Sequence, residues 1–458
     1  MIEERGSFRD PAGKIFYLNK KVFRKISADG QERINFLSKN NLLKESIDKK
    51  FLIPTKKITD NHEYNFSKDD VIFEHERIPY ISYPYEWSFS QLKSAALHHL
   101  NFHLFLLENN ATLIDASAYN IQFLGAKPIF IDFLSIKEYE EGEFWNGHKQ
   151  FCENFLNPLI LKSKKGISFN NWFKGNLEGI HTSDLNSLLS IFDKFSYNIF
   201  VQVYLLNKLD ENAKSKKDLK IKKNKKNFPK KNFIAMLFQL KKFIFSLKDK
   251  KKITIWDDYS QNNTYKNDEE IKKIQCVEKF CNYNKFQKLA DIGCNNGLYS
   301  QLALKNNCKY VVGFDFDINA IDQAFQKSYS NNLNFLPLFF DASNPSSNIG
   351  WSESERAGFI KRGKFDAIIA LAFEHHLAIA KNIPLEEVIN WLMRLAPKGL
   401  IEFVPKNDET VQKMLELKGD IFKDYNIDNF EKFIKKNGKI LDKSTISASG
   451  RTIYEYQR

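Results

Sequence analysis

Residues 253–458 predict a doubly wound, Rossmann-like α/β sheet carrying an antiparallel hairpin at one edge. Five short β-rich runs alternate with segments of helical length, and two more β runs around a Ser-Gly turn close the chain. A Lys-rich stretch sets all of this apart from the residues before it. At 458 residues the chain is long enough for at least two hydrophobic cores, and 43% apolar residues with 41 Phe can fill them.

The parallel strands are read as KLADIG (288–293), YVVGFD (310–315), NFLPLFFD (334–341), FDAIIAL (365–371) and GLIEFV (399–404). The edge hairpin is KILDKSTIS (439–447) and RTIYEYQR (451–458), turning at Ala448, Ser449 and Gly450. Between Lys208 and Lys252 lie 17 Lys against four acids, so the whole net charge of +13 sits in one stretch. That placement argues for a solvated linker rather than a basic face built for nucleic acid. Inside the stretch, Phe233–Leu247 reads as an amphipathic packed helix, since Lys241 and Lys242 interrupt it and it is too short to cross a bilayer. The expected division is therefore 1–207, a linker with one helix over 208–252, and 253–458.

Five Cys, odd in number and unevenly spaced, exclude a disulfide framework and fit a reducing compartment. Cys276 and Cys281 lack a second ligand pair at zinc spacing, so no metal is expected there. The N-terminus has no apolar signal segment and no membrane insertion is expected, which points to the cytoplasm.

In a doubly wound sheet a ligand lies beyond the carboxyl ends of the strands at the switch point. There the chain reads DIGCNNGLYS, with Asp291 ending the first strand. Gly293 permits a tight turn, and Gly297 lets the next helix begin close beneath a ligand. A dinucleotide fingerprint would need Gly where Asn295 and Leu298 stand, so NAD is disfavoured. The loop of S-adenosylmethionine enzymes has Gly at positions one, three and five. Asn295 replaces the middle one, and Asn tolerates positive φ. Asp315, ending the second strand, suits the two ribose hydroxyls, with Asp317 an alternative. Asp341 and the Ala342 N–H suit the adenine.

Methyl transfer is an in-line displacement that needs alignment and, for a hydroxyl acceptor, a base. Glu374, His375 and His376 follow the fourth strand, where the methyl is expected. Either His is a candidate base and Glu374 its orienter, although one His could instead cap a helix and the other pack. Glu402 either faces the acceptor or pairs with an Arg.

From Trp256 onward, WDDYSQNNTY, LADIGCNNGLYS, FDASNPSSNIGW, EHHLAIAKNIPL, IEFVPKND and GRTIYEY resemble the methyltransferase family that includes rhizobial nodulation host-specificity (Noe-type) proteins. The resemblance implies a class I S-adenosylmethionine-dependent methyltransferase acting on an O or N of a small molecule or glycoconjugate. It also implies that Trp351, Glu355 and Arg356 form a lid over the acceptor. RDPAGKIF, YPYEWSFSQLKSAALHHL and LIDASAYNIQFLGAKPIFIDFLS are similar to the segment preceding the methyltransferase in such proteins. Within them Asp115, Asn120 and Asp132 resemble the catalytic loop and metal-binding acid of kinase-like folds, implying an N-terminal α+β kinase-like domain that binds ATP and magnesium. A Gly-rich phosphate loop and a third-strand Lys are missing, and Leu113 stands where that family places His or Tyr, so both an active and a degenerate domain stay open.

Overall fold

The computed structural model describes residues 2–60, 64, 66–205, 207–208, 228–250 and 267–458. WDDYSQNNTY and most of the Lys-rich stretch lie outside the described residues. The chain divides into two compact units. The first comprises Met1–Phe123, Pro128–Lys252 and Asn348–Arg356, and the second Leu124–Lys127, Ile253–Ser347 and Ala357–Arg458.

The first unit opens with an antiparallel sheet of β1 (Ile2–Glu3), β2 (Gly13–Leu18), β3 (Lys21–Ile26), β4 (Thr55–Lys57) and β5 (Ile72–His75), in the order β1-β2-β3-β5-β4. Phe16, Phe23, Phe66 and Ile72 form its core, with Phe16 and Phe23 stacked at 5.7 Å. The helix Phe89–Glu108 follows. Ser88 caps it by accepting from the Gln91 N–H, while the Gln91 side chain accepts from the Ser88 N–H; these reciprocal bonds satisfy two donors that helix geometry strands. Next come the pairs β6 (Ala111–Leu113) with β9 (Ile136–Glu138) and β7 (Ile121–Leu124) with β8 (Lys127–Phe130). The helix expected near Phe233–Leu247 spans Lys230–Ser246. It buries Phe233, Leu237, Leu240, Phe243 and Ile244, an i, i+4, i+7 stripe laid against Phe89–Glu108.

The second unit holds the expected sheet. Its strands are β10 (Lys288–Ile292), β11 (Tyr310–Asp315), β12 (Phe335–Phe339), β13 (Ala367–Ala370), β14 (Lys398–Phe403), β15 (Lys439–Thr445) and β16 (Thr452–Gln457), in the order β12-β11-β10-β13-β14-β16-β15. The first five are parallel and β16 runs antiparallel to both neighbours. Order reverses between β10 and β13, which opens the crevice beside Ile292. Strands such as β13, all four of whose residues are buried, read as continuous apolar runs because helices cover both faces. Leu289, Val311, Phe335, Ile369 and Leu400 fill the core. Among the described residues no helix is long and apolar enough to cross a membrane.

Candidate active site

The loop after β10 turns on three residues with positive φ: Gly293 (82°), Asn295 (48°) and Gly297 (82°). Two of these leave little room for a side chain. A Cβ on Gly293 would sit 3.0 Å from the Phe373 ring, and one on Gly297 2.5 Å from Phe335. Asn295 supplies the middle left-handed residue at little cost, and its side chain accepts from the Asn296 N–H at 2.6 Å. Gly297 then opens the helix Leu298–Lys305, directing its N-terminus into the crevice.

Asp291 is buried and accepts from the Ser300 hydroxyl at 2.6 Å. Burial pushes its carboxyl up to about 7, against the pull of that hydrogen bond. Asp291 therefore ties the loop to the helix instead of lining open space. Asp315, by contrast, is only partly buried. One oxygen accepts from the Asn295 N–H and the other from the Asp317 N–H, both at 2.8 Å. A carboxylate has about four acceptor sites, so two backbone bonds leave capacity for two hydroxyl donors. Burial raises its carboxyl to about 6. The alternative, Asp317, is spent as a helix cap, accepting from the Asn319 and Ala320 N–H groups. Asp341 follows β12, beside Asp315 across the β11–β12 ladder, and holds its turn through the Ser343 N–H and hydroxyl at 2.9 and 2.6 Å. Ala342 is partly buried next to it. Strand-end acceptors and a glycine-bounded helix start make a donor set that fits an adenosyl cofactor with an amino-acid tail.

Beyond β13 and β14 the character changes from half-open carboxylates to a closed ionic network. Lys273 lies 2.7 Å from Glu402 Oε2, and Arg451 lies 3.6 Å from Glu402 Oε1, with all three side chains at most 3% exposed. Arg451 also grips Asp408 with two nitrogens at 2.6 and 2.7 Å. Two cations face two anions, which is the condition for keeping such charges out of water. Glu402 Oε2 accepts from the N–H of Ala372, a residue held at φ 49° just past β13. This Ala is a non-glycine residue in the left-handed region at the lip of the site, where strain is stored when surroundings impose it.

The three candidates after β13 separate into two kinds. Glu374 is wholly buried; its Oε1 accepts from the Val404 N–H and lies 2.8 Å from the Tyr425 hydroxyl. Burial drives its carboxyl up to about 7. His375 is also buried, its Nδ1 3.5 Å from Glu374 Oε2, and burial with the nearby Arg451 holds it down at about 3. His376 is only partly buried, opens a π-helical turn over His376–Ala380, and lies with its ring 4.2 Å from that of His375. Burial and the His375 neighbour keep it neutral, at about 3. Of the three, His376 is the one with a face toward solvent. Sequence reasoning gave Lys273, Arg451, Asp408 and Tyr425 no role; the alternation of apolar residues around them carries no mark of a buried charge. Trp351, Glu355 and Arg356, expected as a lid, fall in the segment Asn348–Arg356. That segment belongs to the first, where Glu355 accepts from Arg9 at 3.2 and 3.3 Å and the Arg356 guanidinium lies 4.3 Å over the Tyr119 ring.

In the first unit Asp115, Asn120 and Asp132 gather after β6 and β8, but their polar atoms are directed at the protein. Asp115 accepts from the Asn120 amide at 3.0 Å and from the Ser117 N–H at 2.9 Å. Asp132 is paired to Arg24 of β3 and accepts from the Ser135 hydroxyl at 2.5 Å. Burial alone would raise the Asp132 carboxyl, yet Ser135 and Arg24 hold it below its ordinary value. Among the described residues no group of three or more His, Cys, Asp or Glu could hold a metal ion. With a guanidinium beside the acid and the Asn120 amide turned to Asp115, the side chains as placed do not support the expected site for magnesium-bound ATP.

A switch-point crevice with a glycine-bounded loop and strand-end carboxylates defines an α/β ligand-binding domain of the doubly wound class. The chain belongs to the family of nodulation protein NoeA. Its relative of that name from Rhizobium meliloti (strain 1021) is 43% identical over 456 residues, covering 99% of this chain and 95% of the relative. No family model matches. Among solved structures it is similar to the N-methyltransferase NodS from Bradyrhizobium japonicum WM9, at 11% identity over 42% of this chain and 97% of that one, with a TM-score of 0.30. It is also similar to magnesium protoporphyrin IX methyltransferase from Synechocystis PCC 6803 with bound S-adenosylhomocysteine, at 18% identity over 48% and 94% of the two chains, with a TM-score of 0.31.

Proposed function

We propose that residues 253–458 form an S-adenosylmethionine-dependent methyltransferase acting on an oxygen or nitrogen of a small-molecule or glycoconjugate acceptor. The observation that carries this is Asp315: a partly buried carboxylate at the second strand's end, bonded only to the backbone of the Gly293–Gly297 loop and the next turn, with acceptor capacity left for a ribose. S-adenosylmethionine, when bound, supplies an electrophilic methyl on a sulfonium sulfur. Asp315 would accept from its ribose hydroxyls, Asp341 and the Ala342 N–H would hold its adenine, and the start of helix Leu298–Lys305 would receive its carboxylate tail.

The acceptor's proton goes to His376. What supports this choice is position: His376 follows the fourth strand's carboxyl end and, unlike Glu374 and His375, is only partly buried. His375 and Glu374 are positioning residues that fix the His376 ring, and Glu402 holds the Ala372 turn between Lys273 and Arg451. We assign residues 1–207 a role in acceptor choice without phosphoryl transfer, joined by 208–252.

Titration of the purified chain with S-adenosylhomocysteine, alongside Asp315→Ala, tests the reading. Saturable binding weakened about tenfold or more by the substitution is expected, since a charge-assisted hydrogen bond contributes about 1.5–3 kcal/mol. Absence of binding to the unmodified chain would remove the proposal.

A further inference from the structure

Between Leu188 and Leu205 the first unit turns its apolar side chains outward. Ile191, Phe192, Phe195 and Tyr197 are 75, 84, 79 and 69% exposed, and the turn Ile191–Lys194 buries nothing. The backbone beneath them is nevertheless anchored. Leu189, Ile199 and Val203 are buried on the inner side. Ser190 and Asp193 cap one another, and Asp193 is paired to Lys165 at 2.6 Å. A fixed backbone that presents four large apolar side chains within seven residues marks a contact surface, since isolated exposed residues need no explanation but contiguous ones do.

Charge identifies the partner. The one acid inside the patch is neutralised by Lys165, while Lys194 and Lys208 flank it, 5.8 and 5.1 Å from the Tyr204 ring. The sequence that continues from it carries nine Lys against Asp210, Glu211 and Asp218 between Lys208 and Lys226. Aromatic and aliphatic side chains beside concentrated positive charge suit the interfacial zone of an anionic bilayer, where apolar groups enter the acyl boundary and Lys meets the headgroups. A second copy of the chain is disfavoured, because an isologous dimer about this patch would set Lys194 and Lys208 of each copy against those of the other.

We propose that Ile191, Phe192, Phe195 and Tyr197 form a docking surface by which the protein adsorbs to an anionic lipid surface without spanning it. Co-sedimentation of the full chain with phosphatidylcholine vesicles, with and without phosphatidylglycerol, reads this out. Pelleting with the phosphatidylglycerol vesicles is expected, weakening as salt is raised and falling about tenfold or more in Phe192→Ser/Phe195→Ser. Both side chains are exposed, so the variant should melt as the parent does. Failure to pellet, equal pelleting with neutral vesicles, or undiminished pelleting of the variant would overturn the proposal. So would a dimer in light scattering that the same substitutions dissolve.

Discussion

Two clusters of acidic side chains in this protein look alike in sequence and differ in structure. Asp115 is satisfied by Asn120 and Ser117 and Asp132 by Arg24 and Ser135, whereas Asp315 and Asp341 bond to nearby turns and keep acceptor capacity at the strand ends. The lesson is that spacing locates an acid at a strand end but does not say whether a cation of the protein already meets it. The units also differ in how they store protons. The first holds His75, His98, His99, His103 and His148 neutral, each lowered chiefly by burial, His75 and His99 to about 3 and His98 to about 4. The second buries Asp291 and Glu374, raised to about 7, and His375, and half-buries His376, both His being lowered to about 3.

The largest expected effect follows from that contrast. A buried neutral His binds fewer protons folded than unfolded between its folded value and about 6.5, so stability is lost as pH falls through that window, by up to about 1.4 kcal/mol per pH unit for each. Asp10 and Asp115, raised by burial, offset part of this in the first unit. In the second unit the acids do the reverse: the folded state binds more protons between about 4 and their raised values, so acidification stabilises it and cancels the two His. Hydrogen exchange at pH 5 against pH 7, corrected for intrinsic rate, should show Phe89–Glu108 losing protection while β10 and β11 keep theirs. Loss in the second unit first would reverse the comparison.

Breaking the two ion networks gives the next effect. Arg451→Ala leaves Glu402 and Asp408 buried with half their compensation, at an expected cost of about 3–5 kcal/mol and a clear fall in the second unit's melting temperature. Arg24→Ala should cost less, because Asp132 is 18% exposed and keeps Ser135. The same variant sharpens the contrast between the acid clusters. It should still show no magnesium-dependent ATP binding in calorimetry, and saturable binding would mean that Arg24 alone closes the site.

Within the site, His376→Ala should lower methyl transfer about a hundredfold, roughly 2.7 kcal/mol, once an acceptor is in hand, with S-adenosylhomocysteine binding unchanged. His375→Ala acts through the ring it positions, and its loss should be smaller and partly recovered in His375→Asn. Equal effects of the two substitutions would return the base assignment to open choice.

Much of the second unit was legible because parallel strands buried on both faces write themselves as apolar runs, and because glycine at 293 and 297 answers steric demands visible in the backbone. Asn295 was legible for the same reason, being one of the few residues at ease with positive φ. What the sequence hid were partnerships between distant positions. Lys273 on a helix, Glu402 on β14 and Arg451 beside β16 meet only after the sheet has closed. Arg24 reaches Asp132, 108 residues further on, only through the fold of β3. The exposed row at 191–197 reads as core in sequence, since apolar composition does not tell which way a short turn faces.

Ala372 gives the smallest effect and joins the network to the site. Its φ of 49° is costly for a residue with a Cβ, and the bond from its N–H to Glu402 Oε2 at 2.9 Å holds it there. Glycine takes this conformation without strain but gains freedom in the unfolded chain, and the two contributions oppose one another. Because left-handed backbone costs an L-residue about 1–2 kcal/mol and the entropic change is roughly half of that, Ala372→Gly should stabilise the second unit by up to about 1 kcal/mol. In Glu402→Gln the carboxylate that fixes the turn is gone, and the advantage of glycine over alanine at this position should shrink as the backbone relaxes. A melting-temperature cycle over the two positions measures that coupling, and strict additivity would show that Glu402 does not hold the turn.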